Sequence, residues 1–496
     1  MKVLFVCSEL FPLLKTGGLA DVCAALPPAL QRAGCDVRVL LPGFPSILAG
    51  VTQLDLSDQA AVHLPMGQGP HPLAGPPGRL LRAELPGSLL PCYVLHAPSL
   101  FDRPGNPYLD PHGEPWADNA ERFAWLSWAA ACLGQGLDEG WQPDILHCHD
   151  WHTGLAPLYL SLPQGREGER AASVFTIHNL AYQGLFPADI FPSLGLPDHL
   201  YGVDGLEFYN QVSFMKAGLQ FADRITTVSP TYAREILTQE QGAGLDGVLR
   251  ARSALVSGIL NGVDYEVWSP AQDPVLEQAF DAHCLERKQH AKKQLQTRMG
   301  LTPDAGALVL GVVSRLTDQK GLHLLADVLD DAVVMGAQLA LIGSGDPAIE
   351  QAFLEAAQKY PGRVSVQMGY DEAIGHSIIA GSDVILVPSK FEPCGLTQLY
   401  GLRYGTLPLV HRVGGLADTV VDASPAHLAD GSACGFVFDD FSTQGLRVAL
   451  QRAHDLYAQP KVWTAVAQHA MHLRFDWQVA AGQYLALYKS LKPGSS

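Results

Sequence analysis

Charge is scarce in this chain of 496 residues: Asp, Glu, Lys and Arg make up 17%, and only 33 are basic against 50 acidic. The formal charge of −17 argues against a phosphodiester backbone or an anionic lipid surface as the main partner, so neither nucleic acid nor membrane is expected. It leaves room for small anions bound locally. Nine cysteines, an odd number with no C-x-x-C pair, fit a reducing compartment better than a disulfide framework, and the cytoplasm is the default. No uninterrupted apolar stretch reaches spanning length, which predicts no transmembrane helix. The opening run "MKVLFVCSELFPLLKTGG" is interrupted by Glu9 and followed by no small-residue cleavage site, so it reads as a first β-strand. Low-complexity segments and solenoid periods are missing too, and nothing reports oligomeric state.

What is present is apolar: 47% of the residues, enough for sizeable buried sheets. A chain this long exceeds one compact core, and two large domains are expected. Short apolar runs ending in Gly, Ser, Asn or Asp recur in both halves, from "KVLFVCS", "DVRVLLPG", "PCYVLHA", "PDILHCHD", "SVFTIHN" and "RITTVSP" to "ALVLGVVSRL", "AQLALIGSG", "RVSVQMG", "DVILVPS", "LPLVHRVGG" and "GFVFDD". Each reads as a buried parallel strand, and helical patterns between them, such as 20–33 and 119–132, imply βαβ units. The fold class is therefore α/β, with two doubly wound, Rossmann-like parallel-sheet domains. A glycine-rich stretch places the linker near 241–262, giving domains 1–245 and 246–473. Residues 474–496 form a closing helix, with Trp477, Ala480, Ala481, Tyr484, Tyr488 and Leu491 at helical spacing; periodicity does not decide which domain it packs on. Gly67 to Gly78, rich in Pro and Gly, reads as an exposed excursion.

The pentapeptide Gly-Gly-Leu-Ala-Asp occurs twice, after Thr16 and after Val413, each time where a loop enters a helix. Glycine lets the backbone come close to a ligand, helix N-termini favour anions, and the Asp can accept N–H bonds or hold a hydroxyl. Two helix starts of a common type would look the same. Matching loops on two facing domains would line a cleft from both sides.

In "VVSRLTDQKGL" Arg315 and Lys320 flank a loop after a strand and suit a diphosphate, Arg as a planar fork and Lys as a movable point charge. A solvated pair beside Asp318 fits the spacing equally well. In "VPSKFEPCGLTQLYG" Glu392 precedes a helix opened by Gly395, Leu396 and Thr397, with Cys394 just before them; the helix start suits a phosphate, while Glu392 reaches sugar hydroxyls or caps the helix. Tyr370 is placed to stack on a flat base, or is an ordinary core or surface tyrosine. The first half offers Lys15 beside Gly17 and Gly18, His178 and Asn179 at a strand end, and Asp150, Trp151 and His152 in "HCHDWH". His178 also reads as a satisfied structural histidine. Tyr108, Trp116, Trp151 and Tyr182 suit sugar rings, or simply fill cores. "HCHDWH" resembles a metal cluster, yet Cys148 alternates away from His147 and His149 and no second ligand set is visible, so no metal is expected. "GSGDPA" at Gly343 mimics a dinucleotide fingerprint but lies mid-domain. No Asp-x-Asp pair offers a divalent ion to a diphosphate, which leaves Arg315, Lys320 and helix dipoles to neutralise a leaving group.

Taken together, the blocks "KTGGLADV", "HDWHTGLAP", "FTIHNLAYQG", "VSPTYAREI", "LNGVDYEVWSP", "VSRLTDQKGL", "IGSGDP", "PSKFEPCGLTQLYGLRYGTLPLVHRVGGLADTV" and "DWQVAA" resemble the bacterial glycogen synthase and plant starch synthase family over nearly the whole chain. The resemblance implies a retaining glucosyltransferase of the GT-B fold. It would transfer glucose from ADP-glucose, a co-substrate, to the non-reducing end of an α-1,4-glucan such as glycogen, with no cofactor. It further implies that Lys15, Gly17 and Gly18 meet the donor's phosphates and sugar, with Asp21 supporting that loop. His178 would lie beside the transferred glucose, with Asn179 next to it, and Asp150 and Trp151 on the acceptor side. Tyr108 would belong to a donor loop and Asn261 would touch the sugar. Arg315 and Lys320 would hold the diphosphate, Tyr370 would lie against adenine, and Glu392 would be the essential carboxylate, with Cys394 to Thr397 lining the donor site. Two departures are that Lys390 stands where arginine is common, and that the second glutamate of the Glu-x7-Glu pattern of other retaining GT-B enzymes is Tyr400 here. The preference for ADP over UDP rests on the resemblance alone.

Overall fold

The computed structural model describes residues 1–58, 61–65, 73, 78–162 and 170–492; most of the segment read as an excursion, Gly67 to Gly78, lies outside them. The chain divides into two units: residues 1–228, 233–262 and 477–496 form the first, and residues 229–232 and 263–476 the second.

Among the described residues, twelve strands belong to the first unit: β1 (Lys2–Val6), β2 (Asp36–Pro42), β3 (Val62–His63), β4 (Arg79–Glu84), β5 (Pro91–His96), β6 (Ile145–His149), β7 (Ala172–Ile177), β8 (Leu185–Pro187), β9 (Glu207–Phe208), β10 (Gln211–Ser213), β11 (Arg224–Thr227) and β12 (Val256–Gly258). Nine of them form one sheet in the order β12-β11-β7-β6-β1-β2-β5-β4-β3. It is parallel from β12 to β5 and antiparallel at β4 and β3. β6 and β7 are buried along their whole length, as strands covered on both faces must be. A separate antiparallel sheet, β8-β10-β9, gave no sign in the sequence because its strands are only two or three residues long.

The second unit holds β13 (Val309–Val313), β14 (Gln338–Gly343), β15 (Val364–Met368), β16 (Val384–Val387), β17 (Leu407–His411) and β18 (Phe436–Phe438), in the all-parallel order β15-β14-β13-β16-β17-β18. All six lie in runs read as strands from the sequence.

The helices that matter below are α1 (Gly18–Arg32), α2 (Asn119–Gly134), α3 (Leu322–Val334), α4 (Thr397–Arg403), α5 (Gly414–Thr419) and α6 (Trp477–Leu491). The last is the expected closing helix. Trp477, Ala480, Ala481, Tyr484 and Tyr488 are buried, α6 packs against α1, and the Tyr488 hydroxyl meets His147 Nδ1 at 2.8 Å.

The boundaries differ from the sequence reading, with residues 229–232 and 474–476 in the second unit and the main change at the linker. Residues 246–262 belong to the first unit, because Val256–Gly258 extends its sheet by parallel pairing with β11. Glycines and a strand of only three residues hid that ladder.

The strand order positions the chemistry. In a doubly wound sheet the crevice opens at the carboxyl ends of the two strands where the order reverses. In the first unit these are β1 and β6, in the second β13 and β16.

Candidate active site

Beyond β1 the chain runs through Ser8 and Glu9, both buried, to Lys15, Thr16 and the N-terminus of α1. Glu9 organises this loop. Its carboxylate accepts the Thr16 N–H at 2.6 Å, the Thr16 hydroxyl at 2.7 Å and the Tyr108 hydroxyl at 2.6 Å. The Tyr108 oxygen also lies 2.8 Å from Ser8 Oγ. Burial and then the Glu9 charge push the Tyr108 phenol well above its usual range, so it stays a hydroxyl. Lys15 pairs with Asp21, one turn into α1, at 2.8 Å.

α2 anchors the segment that carries Tyr108. The buried Arg122 donates to the carbonyls of Leu100 and Pro107 and to Asn119 Oδ1, while Asn119 Nδ2 donates to the Tyr108 carbonyl. Burial pulls the guanidinium down to about 10. It remains charged, with carbonyl dipoles in place of a carboxylate. Substituting Arg122 by Leu should destabilise the protein by about 1–3 kcal/mol by leaving those carbonyls unsatisfied, and thermal denaturation will measure it.

At the end of β6 Asp150 adopts φ 56° and ψ −177°, a backbone conformation that residues other than glycine seldom occupy. The strain lets its carboxylate reach the end of β7, where it accepts the backbone N–H of His178 at 2.7 Å and of Asn179 at 3.4 Å. Burial raises the Asp150 carboxyl to about 7, the two N–H bonds oppose this, and the Glu9 charge adds to it. Trp151 is half-buried, with ring centroids 5.0 Å from Phe123 and 4.2 Å from His152, and His152 stacks on Tyr108 at 4.6 Å. Trp116 packs under Arg103, and Tyr182 is exposed. Asn261 is buried three residues beyond β12. Among the described residues no group of three or more His, Cys, Asp or Glu could hold a metal ion.

In the second unit the carboxyl ends of β13 and β16 bring Lys320 and Glu392 together at 2.5 Å, and Ser389 Oγ donates to the same carboxylate oxygen at 2.8 Å. Glu392 is buried and Lys320 half-buried. Spacing paired Lys320 with Arg315; the structure gives its ammonium to Glu392 and leaves Arg315 exposed on the loop after β13. Glu392 bonds Lys320 and Ser389, which fills the place that helix capping would otherwise take. The turn works because Gly321 has φ 66°, and a Cβ there would sit 2.0 Å from the Pro388 carbonyl oxygen. Cys394 is buried, and Gln398 of α4 donates to the carbonyls of Cys394 and Gly395. Tyr370 is 70% exposed, its hydroxyl 3.2 Å from Glu372, which settles the choice between core and surface for this ring.

The two copies of the repeated pentapeptide sit in different surroundings. A Cβ at Gly414 would lie 1.9 Å from the Glu392 carbonyl oxygen, and one at Gly415 would lie 2.1 Å from that of Cys394. Asp418 accepts the N–H and the hydroxyl of Thr231, at 2.8 and 2.6 Å. The second copy thus packs on the loop that carries Glu392. At Gly17 in the first copy a Cβ would meet nothing within 4 Å, so no close neighbour in the protein requires glycine there.

Residues 2–251 match the family model of the starch synthase catalytic domain, and residues 296–468 that of glycosyl transferases group 1. The chain is 59% identical over 495 residues to a glycogen synthase of Albidiferax ferrireducens, covering 100% of both. It belongs to the glycogen and starch synthase family.

A glycogen synthase of Francisella tularensis subsp. novicida is 52% identical over 493 residues, with 99% of each chain covered. Among solved structures, the catalytic domain of starch synthase IV from Arabidopsis thaliana, bound to ADP and acarbose, matches with a TM-score of 0.87 at 35% identity, covering 99% of each chain. A sucrose-phosphate synthase from Thermosynechococcus elongatus shares the fold, with a TM-score of 0.59 at 18% identity and 100% of each chain covered. This glycogen/starch synthase family member is a glycosyltransferase with the GT-B fold. Within it, sequence reasoning missed Glu9, Ser8 and Arg122. The available signal for Glu9 was a carboxylate inside an apolar run directly after the first strand, a position where a surface charge is not expected.

Proposed function

We propose that this enzyme transfers glucose from ADP-glucose to the non-reducing end of an α-1,4-glucan, retains the anomeric configuration and releases ADP. The observation that carries the reading is the Lys320–Glu392–Ser389 cluster at the topological switch point of the second unit, in a chain of this family. The ADP in the Arabidopsis relative supports the choice of nucleotide, and its acarbose supports a glucan acceptor. Lys15, Gly17 and Gly18, with Asp21 and Tyr108 behind them, meet the donor. His178, Asn179 and Asn261 lie against the transferred sugar, and Asp150 and Trp151 receive the acceptor. Arg315 and Lys320 take up the charge of the departing diphosphate with no cofactor, Cys394 to Thr397 line the donor site, and Tyr370 lies against the base.

In the chemical step the bond from the anomeric carbon to the diphosphate oxygen breaks as the acceptor O4 bonds to that carbon from the same face. The acceptor's proton passes to the departing phosphate oxygen, and excluding water prevents hydrolysis of the donor. Lys320 contributes because the diphosphate gains negative charge as the bond lengthens. The cytoplasm suits the cysteines, all nine of them free thiols, and no described helix is long and apolar enough to cross a membrane.

The test is incubation with ADP-glucose or UDP-glucose, with and without glycogen, while released nucleotide and chain extension are measured. Glycogen-dependent release of ADP is expected. Release that ignores glycogen, or that occurs from UDP-glucose alone, overturns the reading.

The glycines supply a second test. Gly17→Ala should leave the denaturation midpoint unchanged, its Cβ having open space, yet raise KM for ADP-glucose. Gly415→Ala should cost about 1–3 kcal/mol of stability by pushing on the Cys394 carbonyl. Paired melting and initial-rate measurements would refute the division of labour if Gly17→Ala bound the donor normally.

A further inference from the structure

His149, the last residue of β6, was weighed in the sequence only as part of a metal-like cluster. In the structure its Nδ1 lies 2.9 Å from Nε2 of His178. Its ring packs on Phe5 with centroids 4.0 Å apart and on His147 at 4.1 Å. Its other nitrogen, Nε2, is buried with no hydrogen-bond partner among the described residues. His147 cannot serve it, since both its nitrogens are occupied, one by Thr176 and the other by Tyr488.

Two imidazoles in contact through one nitrogen each can share only one proton there, and the orphaned Nε2 decides which ring supplies it. Were His149 to accept at Nδ1, its proton would sit on Nε2 as a buried N–H without an acceptor. Buried orphan N–H groups are rarer and costlier than buried bare acceptors. His149 therefore donates from Nδ1, and His178 accepts at Nε2. The His178 proton is left on Nδ1, where no bond within the described protein engages it. Burial holds the His178 imidazole down to about 3 and drives His149 well below its usual value, so both rings are neutral near pH 7.

We infer that His149 is a positioning residue that fixes His178 as the Nδ1–H tautomer and presents that N–H as the hydrogen-bond donor to one hydroxyl of the transferred sugar. The second half of the inference rests on the proposed function, in which His178 lies against that sugar; the first half does not. The geometry behind it is local. Asp150 clamps the backbone N–H of His178, and His149 clamps its ring, so two side chains from the end of β6 hold one residue at the end of β7.

The closing experiment separates the two halves. Histidine-selective ¹⁵N labelling of the substrate-free protein, with His178 assigned by its loss in His178→Gln, reads the tautomer directly. The expected result is a proton on Nδ1; a proton on Nε2 overturns the inference whatever the activity. His149→Asn puts an amide N–H at the place of Nδ1 and should keep both the tautomer and the rate. His149→Phe keeps the ring packing but loses the donor, so the His178 ring is no longer anchored at Nε2 and its Nδ1–H no longer meets one fixed place. Its kcat/KM for ADP-glucose should fall roughly 3- to 10-fold, the worth of one hydrogen bond.

A series of ADP-glucose analogues, each lacking one hydroxyl, then tests the sugar contact. One analogue should be penalised in the wild type, and that penalty should vanish in His149→Phe. A uniform loss across the series, with the Nδ1–H tautomer intact in the wild type, would overturn the sugar contact and leave the tautomer assignment standing. Complete inactivity of the wild type toward ADP-glucose would instead overturn the function on which the sugar contact depends.

Discussion

Lys320→Ala is expected to lower kcat by about 10²–10³-fold while changing KM for ADP-glucose much less, because the charge it meets develops as the diphosphate leaves. The same substitution strips Glu392 of its ammonium partner and leaves Ser389 as the one hydrogen-bond donor the structure gives that buried carboxylate. Glu392→Gln should be comparably slow, since it leaves the ammonium beside a neutral amide. Because the two groups touch at 2.5 Å, the double variant Lys320→Ala with Glu392→Gln should be little worse than either single one. Initial-rate measurements of ADP release at saturating glycogen, with a melting curve for each variant, supply the comparison. A wild-type kcat in Lys320→Ala would remove it from the leaving-group role, and strictly additive losses would mean that the pair does not act as a unit.

The second large effect is a separation of stability from activity at Asp150. Its carboxyl titrates near 7 in the folded protein against 3.8 for the unperturbed group, so the folded state binds the proton more tightly than the unfolded chain. The resulting stabilisation is complete below about pH 4 and is lost as pH rises towards 7, after which the buried charge costs up to about 4 kcal/mol. Asp150→Asn keeps an oxygen to accept the His178 N–H and carries no charge, but its amide N–H must find a partner. A net gain of about 1–3 kcal/mol at pH 8 is expected, shrinking as the pH is lowered to 5. Denaturant midpoints at the two pH values measure it. In the same variant kcat/KM for the glucan should drop about 10- to 100-fold, as fits the loss of a charged hydrogen bond to substrate. A variant that is less stable than wild type at pH 8 would show that Asp150 is not a strained, buried anion.

Legibility followed element length and burial. β13, β14, β16, β17 and β18 were readable because each is a short, mostly apolar run, the pattern of a parallel strand covered on both faces, whereas β15 alternates apolar and polar residues and is only partly buried after Val364. β12 and the sheet β8-β10-β9 were not, since two or three residues carry no periodicity. Among site residues, the motif positions Glu392 and Lys320 were singled out, but their mutual bond was hidden: it depends on β13 and β16 lying side by side, with 72 residues separating the pair. The repeated pentapeptide misled in part. One string of letters enters a helix in both copies, yet at Gly414 and Gly415 the close approach is to backbone of the same unit. Glu9 and Arg122 were invisible as functional positions because their partners lie far along the chain, Tyr108 being 99 residues from Glu9 and Leu100 being 22 residues from Arg122.

The return of α6 to the first unit has a consequence for how the protein is made. The ribosome finishes the β-sheet of that unit long before it reaches Tyr488, whose hydroxyl completes the polar core at His147. Until α6 is synthesised, the α1 surface that it covers stays bare, whereas the second unit is fully synthesised by residue 476. Nascent chains halted just before Trp477, the first residue of α6, should therefore be protease-sensitive in the half that was synthesised first, an inversion of the usual vectorial order.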